Sequence, residues 1–468
     1  MADFITQLQQ RYIGRDYNRL LRLAIILVVV LGSFILGRQA SKGLIVLLLA
    51  GIAGLVLLRV PMLVIFPLVI GSMFVGFEIG TGTQSAINVT IMIAVGMDGL
   101  LFLEMLVVKR RFYFYPSRVN PPLVGLCTIA LVSFVAGQLP WFAFARPVSL
   151  AAQIAGVSLF LLSAGAFLWS SQAISEIKWL RWLVWLYLGS GAFYVLMNFL
   201  PFGFISKLYD PSTTGSLFWV WMVALAGSQA FFNNKLAIKW RYLLGILTAL
   251  ALIRGWINRD WVSGWLPAAI AFWAILLFRN WRWGLVIGLV TGLVVAVFKP
   301  ELIQQMITID QYSIFTRQEA WRIVLNDIVK VSPIIGLGPA NYYNYTSLFP
   351  ILGYSIRFNS HNQYVDLIAQ VGLVGIFIFT WLVAEIGWLG WRLKDRTKSG
   401  FETAYVIGAL SGLVGTLAAG MFGDWIIPFV YNIGLAGFRT SVFGWVFLGG
   451  LVAIERLTNS TDRTEMIS

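Results

Sequence analysis

Apolar residues in this chain gather into long uncharged runs and do not alternate with polar ones. Ala24–Gly37, Val148–Ser175 and Thr403–Gly423 each contain no charged side chain. A helix needs about 20 such residues to cross the hydrocarbon layer of a bilayer. Runs bounded by charge or proline predict spans at Leu21–Gly37, Leu44–Leu58, Pro61–Gly76, Ala86–Val108, Leu123–Gly137, Val148–Trp169 and Trp182–Pro201. Further spans are predicted at Ser216–Phe232, Tyr242–Ile253, Trp261–Phe278, Trp283–Phe298, Tyr364–Leu389, Thr403–Phe422 and Ser441–Ile454. The pairs meeting at Arg59–Pro61 and Arg254–Asp260 have short loops and read equally well as broken or re-entrant helices. The pattern predicts an all-α polytopic membrane protein of about 12–14 transmembrane helices.

Composition agrees. The 468 residues are 59% hydrophobic and 12% charged, where a soluble domain carries about 25% charged residues. The formal charge of +14 is concentrated in short basic clusters between apolar runs, the positions at which anionic lipid headgroups attract them. Nucleic acid is therefore not an expected partner. The single cysteine, Cys127, lies in an apolar run and is expected to be a small core residue. Met1–Asn18 is polar and precedes a span long enough to stay in the membrane, so a cleaved leader is not expected. A cytoplasmic N-terminus puts the compact clusters Lys109–Arg118, Lys235–Arg241 and Arg392–Lys398 inside, as the positive-inside rule requires. The expected organisation is a cytoplasmic segment 1–20, a helical bundle 21–298, an extracytoplasmic loop domain 299–362, three C-terminal spans within 363–455 and a cytoplasmic tail 456–468.

The long loop has its own helix signal. Thr316-Arg317-Gln318-Glu319 fits a capping box, and Trp321, Val324, Leu325 and Ile328 then recur at helical spacing. This predicts an amphipathic helix over 316–331, ended by Pro333 and Gly336-Leu337-Gly338-Pro339. Arg317, one turn before Trp321, shares the apolar face. The aromatic run Tyr342, Tyr343 and Tyr345 suits stacking on sugar rings or an interfacial belt.

Charge at membrane depth or on an apolar helix face is costly and asks for a reason. Arg254, Arg259, Arg317, His361 and Asp424 all map to the outer side under the charge count. Each has an ordinary role available: arginines at helix ends reach for headgroups, a lone histidine is commonly structural, and Asp424 has Arg439 as a possible partner. Some chemistries are absent from the pattern. No Asp-x-Asp pair, no second histidine and no Gly-x-x-x-x-Gly-Lys loop occurs, so no metal, nucleotide or other cofactor is expected. Guanidinium forks beside one imidazole suit a diphosphate-bearing substrate and removal of a proton from an attacking hydroxyl.

Arg317-x-x-x-Trp321, Pro333-Ile334-Ile335-Gly336-Leu337-Gly338-Pro339-Ala340-Asn341-Tyr342, His361-Asn362-Gln363-Tyr364-Val365-Asp366-Leu367 and Gly372-Leu373-Val374-Gly375 together resemble the O-antigen ligase and O-antigen polymerase family. The resemblance covers roughly 250–430; the first 240 residues match in hydropathy alone. It implies a GT-C-like membrane glycosyltransferase that takes a glycan from an undecaprenyl diphosphate carrier at the outer face of the plasma (inner) membrane. The glycan passes to a hydroxyl on another glycan, a lipid or a protein, without metal or nucleotide. By position, the resemblance makes His361 the base and Arg317 a diphosphate-gripping catalytic residue. Asp424 becomes the family's acidic residue, and Asn362, Tyr364 and Tyr342 become glycan or acceptor contacts. Ile253-Arg254-Gly255 is similar to the family's Ser-Arg-Gly motif but lacks the serine, so Arg254 and Arg259 compete for the first diphosphate position. An alternative is a transporter or transport accessory, for bicarbonate as an example, using Glu78, Asp98 and Glu104; no internal repeat supports it.

Overall fold

The computed structural model describes residues 60–80, 86–108, 110–200, 208–257, 261–298, 311–397 and 400–465. The predicted spans Leu21–Gly37 and Leu44–Leu58, and Arg259, lie outside the described residues. Contacts divide the chain into Met1–Leu63 and Val64–Ser468, and only the second unit is described below.

Its helices are α1 Ile65–Phe74, α2 Val89–Leu103, α3 Asn120–Ala136, α4 Leu150–Ala173, α5 Ile177–Met197, α6 Ser216–Phe232 and α7 Ile238–Ile257. They continue with α8 Val262–Arg279, α9 Trp281–Phe298, α10 Gln311–Ile323, α11 Gln363–Arg396, α12 Phe401–Gly420 and α13 Phe438–Glu465. Among the described residues, eight helices are long and apolar enough to cross a membrane, which makes this an all-α polytopic membrane protein. Among the described residues, the one sheet pairs Glu78–Gly80 antiparallel with Ala86–Asn88.

Local chemistry starts these helices where it is expected to. Asn88 Oδ1 accepts from Ile91 N–H at the start of α2, and Ser149 Oγ from Ala152 N–H at the start of α4, the usual repair of orphan amides. α6 is enclosed by α12 and α8, and the apolar stretch of α13 is wholly buried. Small residues permit the close approach that apolar surface cannot drive inside a membrane. Gly408, Gly412 and Gly415 of α12 meet Ser228, Trp221 and Val220 of α6.

One helix is broken, and the break explains the glycine-rich motif. Gly372 interrupts α11 at φ 71°. The strip 333–338 supplies the hydrogen bonds that the break removes: Leu373 N–H donates to Pro333 O at 2.8 Å, Val374 N–H to Ile334 O at 3.1 Å, Leu337 N–H to Ala369 O at 2.9 Å and Gly338 N–H to Gln370 O at 3.0 Å. Asn341 then fastens the strip to α3, its amide donating to Gly137 O at 3.0 Å while Oδ1 accepts from Val148 N–H. Broken helices survive at membrane depth only with such internal satisfaction. A Cβ on Gly372 overlaps the Ile334 carbonyl, and its left-handed backbone resists side chains. Gly372→Ala is therefore expected to destabilise the protein by about 3 kcal/mol or more, measured as a lower unfolding temperature in detergent.

The loop helix differs from its expectation. α10 is already under way at Gln311, so Thr316 is interior and no capping box forms; Glu319 pairs with Arg322 at 2.6 Å. A π turn at Val324–Ile328 and a 3-10 turn at Val329–Val331 follow. The π turn breaks the 3.6-residue period, which leaves Leu325 exposed while Val324 and Ile328 are buried.

Candidate functional site

The tip of α10 meets the His361 segment through one indole. Trp321 Nε1 donates to Ser360 O at 2.7 Å, and Arg317, one turn earlier on the same face, comes near the imidazole. The Arg317 charge and partial burial of the ring together hold His361 at about 4, below its ordinary 6.5, with burial the larger cause. The ring is therefore neutral at pH 7. His361 itself has φ 48°, a left-handed conformation that few non-glycine residues adopt.

That conformation is held from every side. Asn359 Oδ1 accepts from His361 N–H at 3.2 Å, and Asn362 N–H donates to Ser360 Oγ at 3.1 Å. Asn362 Oδ1 accepts from Tyr364 and Val365 N–H and so caps α11. Beneath lies a polar core. Asp366 Oδ1 accepts from Tyr342 OH and lies 2.6 Å from Ser360 Oγ, and Ser360 N–H donates to Tyr342 OH at 3.2 Å. Asp424 accepts from Phe429 N–H and from the Asn432 amide, both within its own loop. Burial raises the Asp424 carboxyl to about 6 against these bonds. The same burial, with Asp366 and Asp424 adjacent, pushes the Tyr342 phenol well above its usual range. Replacing Asp366 by Ala leaves the Tyr342 and Ser360 hydroxyls without an acceptor. About 2–4 kcal/mol of stability is expected to be lost, and thermal unfolding with Ser360→Ala as comparison measures it.

The second arginine lies at the same end of the bundle. Ser216 Oγ donates to Ser263 O and Tyr364 OH to Leu417 O, which aligns the first turns of α6, α8 and α11 with the last turn of α12. Arg254, in the last turn of α7, donates from Nε to Asn198 Oδ1 at 3.3 Å just past α5. It borders a cavity of about 60 Å³ lined also by Tyr194, Thr214, Trp219 and Trp261. Trp261 contacts Trp425 edge to face at 6.1 Å. Gln363 fastens the Trp425 loop to α11, its Oε1 accepting from Ile426 and Ile427 N–H.

Arg317 and His361 are thus brought together, and Arg254 shares its cavity with Trp261 of the Trp261–Trp425 pair. The surroundings of five expected contacts differ from what the sequence suggests. Asp424 and Tyr342 are fully buried and bonded inward, beneath the His361 segment. The Asn362 side chain is spent on the helix cap, with its amide toward Met421 O. The Tyr364 hydroxyl is spent on α12. Asp424 also does not pair with Arg439, which lies 3.4 Å from Asp210 and 3.6 Å from Glu78 and donates to Val75 O at 2.8 Å. Glu78 is so engaged, Asp98 packs against Gly165, and no metal-sized cluster of acidic residues occurs among the described residues.

Sequence reasoning passed over Ser360, Asp366 and the Trp321 indole. Asp366 did leave a signal: it is a carboxylate in the first turn of an apolar helix. Tyr343 and Tyr431 were also not paired by sequence; their rings stack at 4.4 Å and 7°. Asn359 links that pair to the site, its amide donating to Tyr431 O at 3.3 Å.

A polytopic helical membrane protein with a half-buried arginine–histidine pair at one bundle end is the class defined so far. Residues 261–380 match the family model described as O-antigen ligase, the family that the motifs resemble. The matched stretch contains Arg317, the strip 333–342, His361 and the Gly372 break. The match and the architecture together identify a membrane enzyme of glycan transfer in general terms. No curated protein matches the chain.

Proposed function

We propose that this protein is a glycosyltransferase of cell-surface polysaccharide synthesis that uses an undecaprenyl-diphosphate-linked glycan as donor. It acts at the extracytoplasmic face of the plasma membrane, with both termini cytoplasmic, and passes the glycan to a hydroxyl acceptor. The single observation that carries this reading is the convergence of the Arg317 guanidinium and the neutral His361 imidazole at one end of the bundle. The family match over the same residues supports it.

In the proposed step the acceptor hydroxyl oxygen bonds to the anomeric carbon as the carbon–oxygen bond to the diphosphate breaks. The electron pair leaves with the diphosphate, and Arg317 stabilises the charge that builds there. Arg254 is the candidate for the same task from its own cavity. The acceptor proton goes to His361. A single in-line attack inverts the sugar carbon, and no metal is required. Asp366, Asp424, Asn362 and Tyr342 position the histidine and the loop around it.

Polymerase and ligase differ in the acceptor. A polymerase is expected to leave single repeat units on the carrier when the gene is deleted, and a ligase to leave long unattached chains. An unaltered surface glycan and carrier pool in the deletion strain sinks both.

A further inference from the structure

Two aromatic pairs join the turn at Tyr342–Tyr345 to the loop that follows Asp424. The inner pair, Tyr342 on Phe429, is fully buried with ring centroids 4.8 Å apart, and it fastens the two segments. The outer pair, Tyr343 on Tyr431, is parallel at 4.4 Å and 7° and stays partly exposed. Neither outer hydroxyl is spent on a hydrogen bond among the described residues. Packing alone is served by two phenylalanines here, so the hydroxyls ask for another use.

The outer pair is tied to the site by one amide. Asn359 Oδ1 accepts from His361 N–H at 3.2 Å, and its Nδ2 donates to Tyr431 O at 3.3 Å. Arg357, two residues before Asn359, is exposed. Burial and the Tyr343 phenol hold the Tyr431 phenol above its usual range, while the Arg357 charge pulls it down. The guanidinium is therefore within electrostatic reach of the hydroxyls. No acidic residue occurs between Asp327 and Asp366 or from Trp425 to Phe438, so an anion here meets no carboxylate from either segment.

These groups suit a pyranose ring that carries a carboxylate. Its C–H face meets the electron-rich face of an aromatic ring, and phenols reach its hydroxyls. One guanidinium fork matches one planar carboxylate. A hydrocarbon chain leaves both hydroxyls and Arg357 without a use, and a lipid-facing belt has no need of a stack fixed to the histidine backbone.

We propose that Tyr343, Tyr431 and Arg357 form a subsite for an acidic sugar of the acceptor glycan. The inference rests on the glycan-transfer reading above and adds a substrate class, a glycan containing uronate-type residues. The acceptor side is assigned because Asn359 links the pair to His361, the group that takes the acceptor proton in that reading.

The test uses the full chain in phosphatidylcholine nanodiscs with methyl β-D-glucuronide and its neutral counterpart, methyl β-D-glucoside. Saturation-transfer NMR titration reads binding, with empty nanodiscs subtracted. The glucuronide is expected to bind about three- to five-fold more tightly, the scale of one exposed ion pair. Arg357→Gln, a change at an exposed side chain, is expected to erase that preference and leave the glucoside unchanged. Tyr343→Ala is expected to weaken both sugars about ten-fold, and Tyr343→Phe, which keeps the stack, to weaken them less. Equal affinity for the two sugars, a preference that survives Arg357→Gln, or undiminished binding by Tyr343→Ala overturns the subsite. Glycan transfer with no sugar signal overturns the subsite alone. Binding as expected in a protein that transfers no glycan overturns the proposed function and leaves the subsite standing.

Discussion

Arg317→Ala is expected to abolish measurable glycan transfer while the protein still accumulates and unfolds at the wild-type temperature. The side chain is half-buried on a helix anchored by other residues: Trp321 holds Ser360, and Ala320, Ile323 and Val324 form the packed face. These anchors remain in the variant. Its charge is near enough to hold down the His361 pKa, and in the proposed step it faces the leaving diphosphate. Loss of one such preorganised donor costs about 10²–10³ in kcat, and a full guanidinium in a water-poor site more. Lysine is expected to recover only part, because it cannot make a bidentate contact. Transfer from a purified lipid-linked donor in vesicles measures the effect. Wild-type turnover by Arg317→Ala removes this residue from the mechanism.

His361→Ala is expected to lower kcat by about 10²–10⁴ and to change donor KM less than three-fold, the mark of a group that acts in the transition state. The pH dependence is a sharper test. In the free protein His361 is neutral down to about pH 4, so kcat/KM is expected not to fall through 6.5 on its account. A bound diphosphate neutralises Arg317 and places negative charge nearby, which raises the histidine pKa. The His361 inflection in kcat is therefore expected at higher pH than in kcat/KM. The other acidic groups near the motif are Asp366 and Asp424, and burial raises the Asp424 carboxyl.

Stability carries the same signs. Between about 4 and 6.5 the unfolded chain takes a proton that folded His361 refuses. That contribution is complete above 6.5 and is lost as pH falls toward 4. Asp424 works the other way. Its folded pKa of about 6 lies above the ordinary 3.8, so its contribution is complete below 3.8 and is lost as pH rises through 6.

The sequence by itself determined the polytopic helical architecture and singled out the residues whose chemistry is proposed above. Burying a backbone in lipid demands long apolar runs, and such runs are readable one residue at a time; Ser216–Phe232 lies where its run predicts. Scarce charged residues on apolar faces likewise pointed to Arg317 and His361, because their cost is local. Tertiary structure alone decided what each polar side chain touches. Asn362, Tyr342, Tyr364 and Asp424 look like ligand contacts in a motif, yet each bonds to a group brought from elsewhere in the chain or from its own folded loop. The Gly336–Gly338 strip reads as a turn in sequence and acts as the patch for a helix broken 34 residues later at Gly372. Hydrogen-bond partners and the Trp261–Trp425 contact beside the Arg254 cavity depend on how helices pack. Packing is a sum over distant pairs that no local pattern encodes.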